Sequence, residues 1–323
     1  MPRFVVGLCL FLSIGCGHRS SPTAPTSQPP PTTMSSACTG DPECQTLTSI
    51  QPSRAYLLHV PASFRPDTSG LVIALHGSGE SGTLFRSRTQ LSEKADQAGF
   101  AVAYPYALLS PGDGITKWNE LFNNSFGGNP PDDVGFLREL IKALQEQLRP
   151  DPKRIYVTGF SNGGFMTHRA GIQLSGFVAA IAVAAGSVAS SGSIQNVPVP
   201  LEPVSVLMLH GDGDTAVPYC GQPYISQEQS FNYWSTVNRC SRTDTAAPLC
   251  DAPGITAVAE KDASECARGT EVRFYKLLGG QHEWYTIPMN APGSSPFNPS
   301  FDANSGATTV DIVWNFFATH PKQ

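Results

Sequence analysis

Seven short apolar runs constrain this chain more than any other feature: AYLLHV (55–60), LVIALHG (71–77), FAVAYPY (100–106), RIYVTG (154–159), FVAAIAVAAG (177–186), VSVLMLHG (204–211) and EVRFYKL (271–277). Each has the length of a strand, and most are continuous instead of alternating with polar residues. A strand with one wet face must alternate, so a continuous run asks for burial on both faces, as in a largely parallel sheet covered by helices on each side. Helical patterns lie between the runs. The clearest follows Pro130-Pro131-Asp132: Asp132 is a candidate N-cap, Leu137, Leu140, Ile141, Leu144 and Leu148 fall on one stripe, and Pro150 ends the helix. Further helical patterns run over 84–98, 163–174, 227–238 and 309–319. The expected fold is α/β, a doubly wound, mostly parallel sheet with helices on both faces in a single domain. Such sheets carry their sites on loops at the carboxyl ends of strands.

With 40% hydrophobic and 15% charged residues, the 323-residue chain can bury a large core. Its net charge of -5 includes no Lys/Arg cluster interleaved with aromatics, which sets nucleic acid aside as a partner. Residues 1–15 read as an export signal, with Arg3 before an apolar run, Phe4 to Ile14, too short to span a bilayer. The run ends Leu12-Ser13-Ile14-Gly15-Cys16, which resembles a bacterial lipobox with Cys16 as the lipidated first residue. Ser13 stands where an aliphatic residue is usual. Residues 16–37, rich in Ser, Thr and Pro, cannot bury enough surface to fold and read as a tether. A catalytic domain over 38–323 follows, located outside the cytoplasm, either held at the cell envelope with membrane contact only through the lipid anchor or, if the leader is an ordinary secretory peptide, secreted.

Beyond Cys9 and Cys16 remain Cys38, Cys44, Cys220, Cys240, Cys250 and Cys266. An even number in an exported chain without a CxxC pair predicts up to three disulfides in preference to a metal site. Four of the six lie in a polar insertion, about 220–268, which bridges would brace.

Chemistry gathers just after the strands. In VTGFSNGGF a serine, Ser161, sits between glycines with a strand before it and a helix after it, the setting of a nucleophile elbow. A serine needs a base, and the base needs an acid to hold its tautomer. His282, in LLGGQHEWYTIP directly after a strand, fits the base better than the tether's His18, the strand's His59, the helix's His168 or the chain-end His320. The acid is expected between serine and histidine, where LMLHGDGDTAVPY offers Asp212 and Asp214; either can cap a turn, and Asp214 is preferred. Backbone donors for an oxyanion are expected from Ser78 or Gly79 in the Gly-rich HGSGESG loop and from Asn162, the residue after the nucleophile. His76 opens that loop and fits a shaping role.

Taken in order, LVIALHGSGESG, FAVAYPYAL, KWNEL, DDVGFLRELI, YVTGFSNGGFMTHR, LMLHGDGDTAVPY, GGQHEW and WNFFATH resemble the exported poly(3-hydroxybutyrate) depolymerases of the α/β-hydrolase fold, with feruloyl and acetylxylan esterases as near relatives. The resemblance implies Ser161 as nucleophile, Asp214 as acid, because it precedes VPY, and His282 as base. It further implies that Trp118 and Asp133 form a scaffold around the cleft and that Cys240 pairs with Cys266. Ser78 departs from the Cys that many members carry after His-Gly, and Gln281 and Glu283 flank the base where the family has Gly-rich sequence.

The expected activity is hydrolysis of a carboxylic ester, polyester or acylated polysaccharide, through an acyl-enzyme, with no metal or organic cofactor. Feruloyl or acetyl esters on polysaccharide, a peptide bond, and a non-catalytic surface binding protein on the same fold are the alternatives. Trp118 and Trp284 are candidate stacking platforms for a sugar or phenyl ring, with buried packing as the competing role.

Overall fold

All seven apolar runs form strands in the computed structural model of the chain, which describes residues 37–122, 130–190, 192–245, 258–286 and 308–323. They are β2 (Arg54–His59), β3 (Leu71–Leu75), β4 (Ala101–Pro105), β5 (Ile155–Phe160), β6 (Ala180–Ala184), β7 (Ser205–Gly211) and β10 (Val272–Leu277). Three further strands, β1 (Cys44–Leu47), β8 (Arg242–Thr245) and β9 (Val258–Ser264), complete a ten-stranded sheet in the order β1-β2-β4-β3-β5-β6-β7-β10-β9-β8. The six from β4 to β10 run parallel; β1, β2, β8 and β9 are antiparallel additions at the two edges. The additions β1, β8 and β9 read CQTL, RTDT and VAEKDAS. They have no apolar run because strands added outside the parallel part of the sheet need not bury both faces.

Helices α3 (Asp133–Leu148), α4 (Asn162–Gln173) and α5 (Gln227–Val237) cover one face, and α6 (Thr309–Thr319) lies on the other with α1 (Gly82–Thr89) and α2 (Leu91–Ala98). The pattern over 84–98 had suggested a single helix. It breaks at Gln90, whose left-handed backbone (φ 58°) ends α1 and starts α2, and the two short helices bury Phe85, Leu91 and Ala95 in one core. Side chains alternate along the strands into two cores. Ile73, Val157, Ile181 and Val206 meet Leu140, Met166 and Trp234; Val72, Tyr156 and Leu207 meet Phe85, Leu91 and Phe317. Each fully buried side chain of this size contributes about 1.5–3 kcal/mol, which is why both faces of the runs had to be apolar.

The Asp132 carboxylate accepts from the Gly135 N–H and caps α3 as the sequence suggested. Disulfides join Cys38 to Cys44 and Cys240 to Cys266. Cys250 lies outside the described residues, as do the export signal, Cys16 and nearly all of the tether. Within the insertion over 220–268, α5 buries Phe231 and Trp234 completely, so this part belongs to the main core. No helix among the described residues is long and apolar enough to cross a membrane.

Strand order places the site. From β3 the chain moves to β4 on one side, then returns to β5 on the other, so the strand order reverses between β3 and β5. A crevice opens at the carboxyl ends of strands flanking such a reversal. HGSG follows β3 and Ser161 follows β5.

Candidate active site

Ser161 occupies the one-residue turn between β5 and α4 with φ 54° and ψ −123°. A non-glycine residue held there stores about 1–3 kcal/mol of strain and persists only where its surroundings leave no alternative. Here the Ser161 N–H is fixed on the Ala184 carbonyl at 3.0 Å, and α4 presses directly on the end of β3. The flanking glycines permit that approach. A Cβ on Gly159 would collide with the Gly163 carbonyl, and one on Gly163 with the carbonyl oxygens of Leu75 and His76.

The loop after β10 brings His282 to the serine: Nε2 lies 2.8 Å from Ser161 Oγ, and Nδ1 lies 2.7 Å from Asp214 Oδ2. Asp214, on the loop after β7, has a fully buried side chain whose Oδ1 accepts from the N–H groups of Ala216 (2.9 Å) and Val217 (2.8 Å). Burial works against its negative charge, but hydrogen bonds from His210, His282 and Val217 outweigh it and hold the carboxyl well below the usual carboxylate range. An ionised carboxylate only accepts, so His282 carries its proton on Nδ1 and presents a bare Nε2 to the serine hydroxyl. Asp212, the rival acid, points elsewhere: it takes the Gly279 N–H and faces Lys276 Nζ at 3.6 Å. It clamps the His282 loop and does not reach the imidazole.

Of the three expected oxyanion donors, the structure turns one away. The Gly79 N–H donates to the Thr116 carbonyl at 2.7 Å, and the neighbouring Gly77 N–H to Glu80 Oε2 at 2.9 Å. Both are fixed in shaping the turn, which leaves Ser78 as the candidate donor on that loop. Asn162, the second candidate donor, sits at the first position of α4, where an N–H has no intrahelical acceptor. Its side chain brackets Trp118, accepting from the backbone N–H at 2.7 Å and donating to the carbonyl at 3.1 Å, while Trp118 Nε1 donates to the His76 carbonyl at 3.0 Å. Asn162 and the loop after β3 are thereby tied to one tryptophan.

His76 itself is fully buried, donating from Nδ1 to the Gly77 carbonyl (2.8 Å) and accepting the Ala107 N–H on Nε2 (3.0 Å). Burial pushes its pKa down to about 4 and keeps the ring neutral, the loop-shaping role expected of it. Trp118 and Trp284 are 0% and 4% exposed, so neither offers a stacking face; Trp284 packs edge-on against Phe85. Asp133, buried, joins Arg54 (2.8 Å) to the Asn119 N–H (2.7 Å) beneath Trp118. Sequence reasoning passed over two residues that matter here. Glu80 pins Gly77 while pairing with Arg88, whose guanidinium lies over Phe160, and Glu120 accepts from Asn162 Nδ2 at 3.0 Å. Only a three-residue offset inside a Gly-rich loop pointed to Glu80.

A phospholipase/carboxylesterase family model matches residues 62–242, which contain Ser161, the HGSGESG loop and Asp214. The chain belongs to this α/β-hydrolase family. Relatives of this carboxylesterase-family chain include the putative esterase NocK of Nocardia uniformis subsp. tsuyamanensis, 27% identical over 77% of this chain and 74% of NocK. The bifunctional acetylxylan esterase/xylanase XynS20E of Neocallimastix patriciarum is 26% identical over 76% of this chain, and poly(3-hydroxyalkanoate) depolymerase C of Paucimonas lemoignei 25% over 79%. The chain spans 36% and 62% of the length of those two. Among solved structures, sOPH superposes with a TM-score of 0.55 at 17% identity, over 86% of this chain and 87% of its own. The acetyl xylan esterase from Aspergillus awamori does so at 0.51 and 17%, over 74% and 93%. These likenesses establish the fold.

Proposed function

We propose that this carboxylesterase-family chain is a serine esterase working through an acyl-enzyme, with Ser161 as nucleophile, His282 as base and Asp214 as acid. One observation carries the reading: an unbroken hydrogen-bonded line from Asp214 Oδ2 through His282 to the hydroxyl of a strained, strand-to-helix serine. In the first half-reaction Ser161 Oγ attacks the ester carbonyl as His282 Nε2 takes its proton, and the tetrahedral oxyanion is met by the N–H groups of Asn162 and Ser78. His282 then protonates the departing alcohol. Water, deprotonated by the same nitrogen, releases the acid and restores Ser161. Asp214 stays ionised throughout, and its two backbone donors keep Oδ2 turned to the imidazole.

Acyl groups on polysaccharide and hydroxyalkanoate esters are the substrate classes that the relatives' names support. The protein works outside the cytoplasm, where Cys38–Cys44 and Cys240–Cys266 persist oxidised, tethered through a lipid on Cys16. Hydrolysis of 4-nitrophenyl acetate by the full chain and by Ser161→Ala tests the chemistry, with an expected kcat loss on the order of 10⁴- to 10⁶-fold. Wild-type turnover indifferent to Ser161 on every ester tried sinks it. Hydroxybutyrate oligomers, methyl ferulate, acetylated xylan and a chromogenic peptide, assayed side by side, divide the substrate classes.

A further inference from the structure

His210, the last side chain of β7 before the acid loop, plays no part in the steps above, yet it is 1% exposed and lies against Asp214. Its Nε2 faces two groups that can only accept: the Val217 carbonyl at 2.7 Å and Asp214 Oδ2 at 3.3 Å. That nitrogen therefore carries a proton, shared unequally between them. The other ring nitrogen, Nδ1, is buried with no hydrogen-bond partner among the described residues, so a proton there would be stranded. The ring packs edge-on against Tyr219 at 6.1 Å, which leaves it little freedom to flip. An apolar side chain of the same volume would fill this space without an unmatched nitrogen, so packing alone does not account for a histidine.

The contacts close a ring. Val217 gives its N–H to Asp214 Oδ1 at 2.8 Å and its carbonyl to His210 Nε2, while the same nitrogen reaches Oδ2. One oxygen of the carboxylate is held by backbone donors, and the other is divided between His282 at 2.7 Å and His210 at 3.3 Å. We propose that His210 is a positioning residue of the esterase reaction: it braces the Asp214–Val217 turn so that Oδ2 aims at His282, and it withdraws some of that oxygen's basicity from the catalytic imidazole. The inference rests on the Ser161–His282–Asp214 reading.

Two consequences separate this role from core filling. Losing the Nε2–H leaves Oδ2 to His282 alone, which stabilises the imidazolium and moves the acid limb of the kcat–pH profile upward. It also loosens the turn, which lowers kcat more than it changes KM. Hydrolysis of 4-nitrophenyl acetate by the full chain, wild type against His210→Phe and His210→Gln, reads both. For His210→Phe, kcat falls about 10- to 100-fold, the scale of a lost hydrogen bond to a charged group, with KM within about threefold and the acid limb several tenths of a pH unit higher. His210→Gln, whose amide N–H reaches toward the Val217 carbonyl, recovers at least about fivefold of the loss.

A folded His210→Phe with kcat within about twofold of wild type and an unmoved acid limb overturns the proposal, as does a glutamine variant no better than phenylalanine. Should His210→Phe fail to fold, His210→Met replaces it as the variant without a donor, and equal kcat for Gln and Met overturns the proposal in the same way. Ser161→Ala, run alongside, distinguishes the failures. Wild-type turnover that survives it removes the esterase reading, whereas Ser161-dependent turnover with indifferent His210 variants removes only the role of His210.

Discussion

The same tripeptide, Leu-His-Gly, closes two strands of this sheet: β3 ends at Leu75 and runs on into His76-Gly77, and β7 ends at Leu209-His210-Gly211. Both histidines are buried at the carboxyl end of a parallel strand and both bond to the loop that follows it, yet they do so in opposite tautomers. His76 accepts the Ala107 N–H on Nε2 and so gives its Nδ1 proton to the Gly77 carbonyl. His210 meets only acceptors at Nε2 and must keep its proton there. A local sequence thus sets where a buried histidine goes; the polarity of whatever packs against it sets what it does. In the proposed mechanism the β3 turn presents the Ser78 N–H to a negative charge and needs rigidity, whereas the β7 turn presents a carboxylate to an imidazole and needs aim.

The largest effect separating the two turns is expected at the carboxylates. Asp214→Asn should lower kcat about 10⁴-fold, because an amide no longer fixes the His282 tautomer, while Asp212→Asn, which loosens only the clamp on Gly279, should stay within about tenfold. The reverse order in steady-state assays would hand the acid role to Asp212.

A smaller effect, read as stability, should follow at the other turn. His76→Phe strands the Ala107 N–H and the Gly77 carbonyl, each at about 1–3 kcal/mol, so a lowered melting temperature is expected. The same ring governs acid sensitivity. With its pKa near 4 when folded and 6.5 when exposed, His76 binds more proton in the unfolded chain, so stability falls as pH drops from 6.5 towards 4, by about 3 kcal/mol from this group. Asp214, held low in the folded state, loses its contribution in the same direction as pH falls through and below the ordinary carboxylate range. Melting temperatures recorded from pH 7 to 4 should decline in the wild type and decline less steeply in His76→Phe; parallel curves would break the link.

The smallest effect is expected at Glu80→Gln, which keeps an oxygen for the Gly77 N–H but weakens the pairing with Arg88. We expect kcat to drop about three- to tenfold with the melting temperature nearly unchanged, read from initial rates and a thermal melt. An unaltered kcat would show that the β3 turn holds its shape without that carboxylate.

Much of this was legible in the residues. Continuous apolar runs forced a buried parallel sheet, Asp132 and Pro150 marked both ends of α3, and glycines around Ser161 announced a turn too tight for any Cβ. The polar strands β1, β8 and β9 were not, because strands added outside the parallel part of the sheet need not bury both faces and obey no strict pattern. Nor was the break at Gln90, where tertiary packing imposed a left-handed residue that no local signal demands. Among site residues, Gly79 was misassigned as a donor because its N–H is spent on Thr116, a partner distant in sequence. Trp118 and Trp284, candidate platforms by residue type, proved to be buried.

The sequence by itself determined which chemical groups exist and roughly where along the sheet each must emerge, since strand periodicity and glycine sterics are local. Only the tertiary structure decided which carboxylate meets His282, which amides are left for an oxyanion, and which nitrogen of each buried histidine holds the proton. Those choices depend on partners brought within hydrogen-bond reach, from seven residues away for His210 to 121 for Ser161 and His282, and hydrogen-bond direction is fixed by the partner, not by the residue.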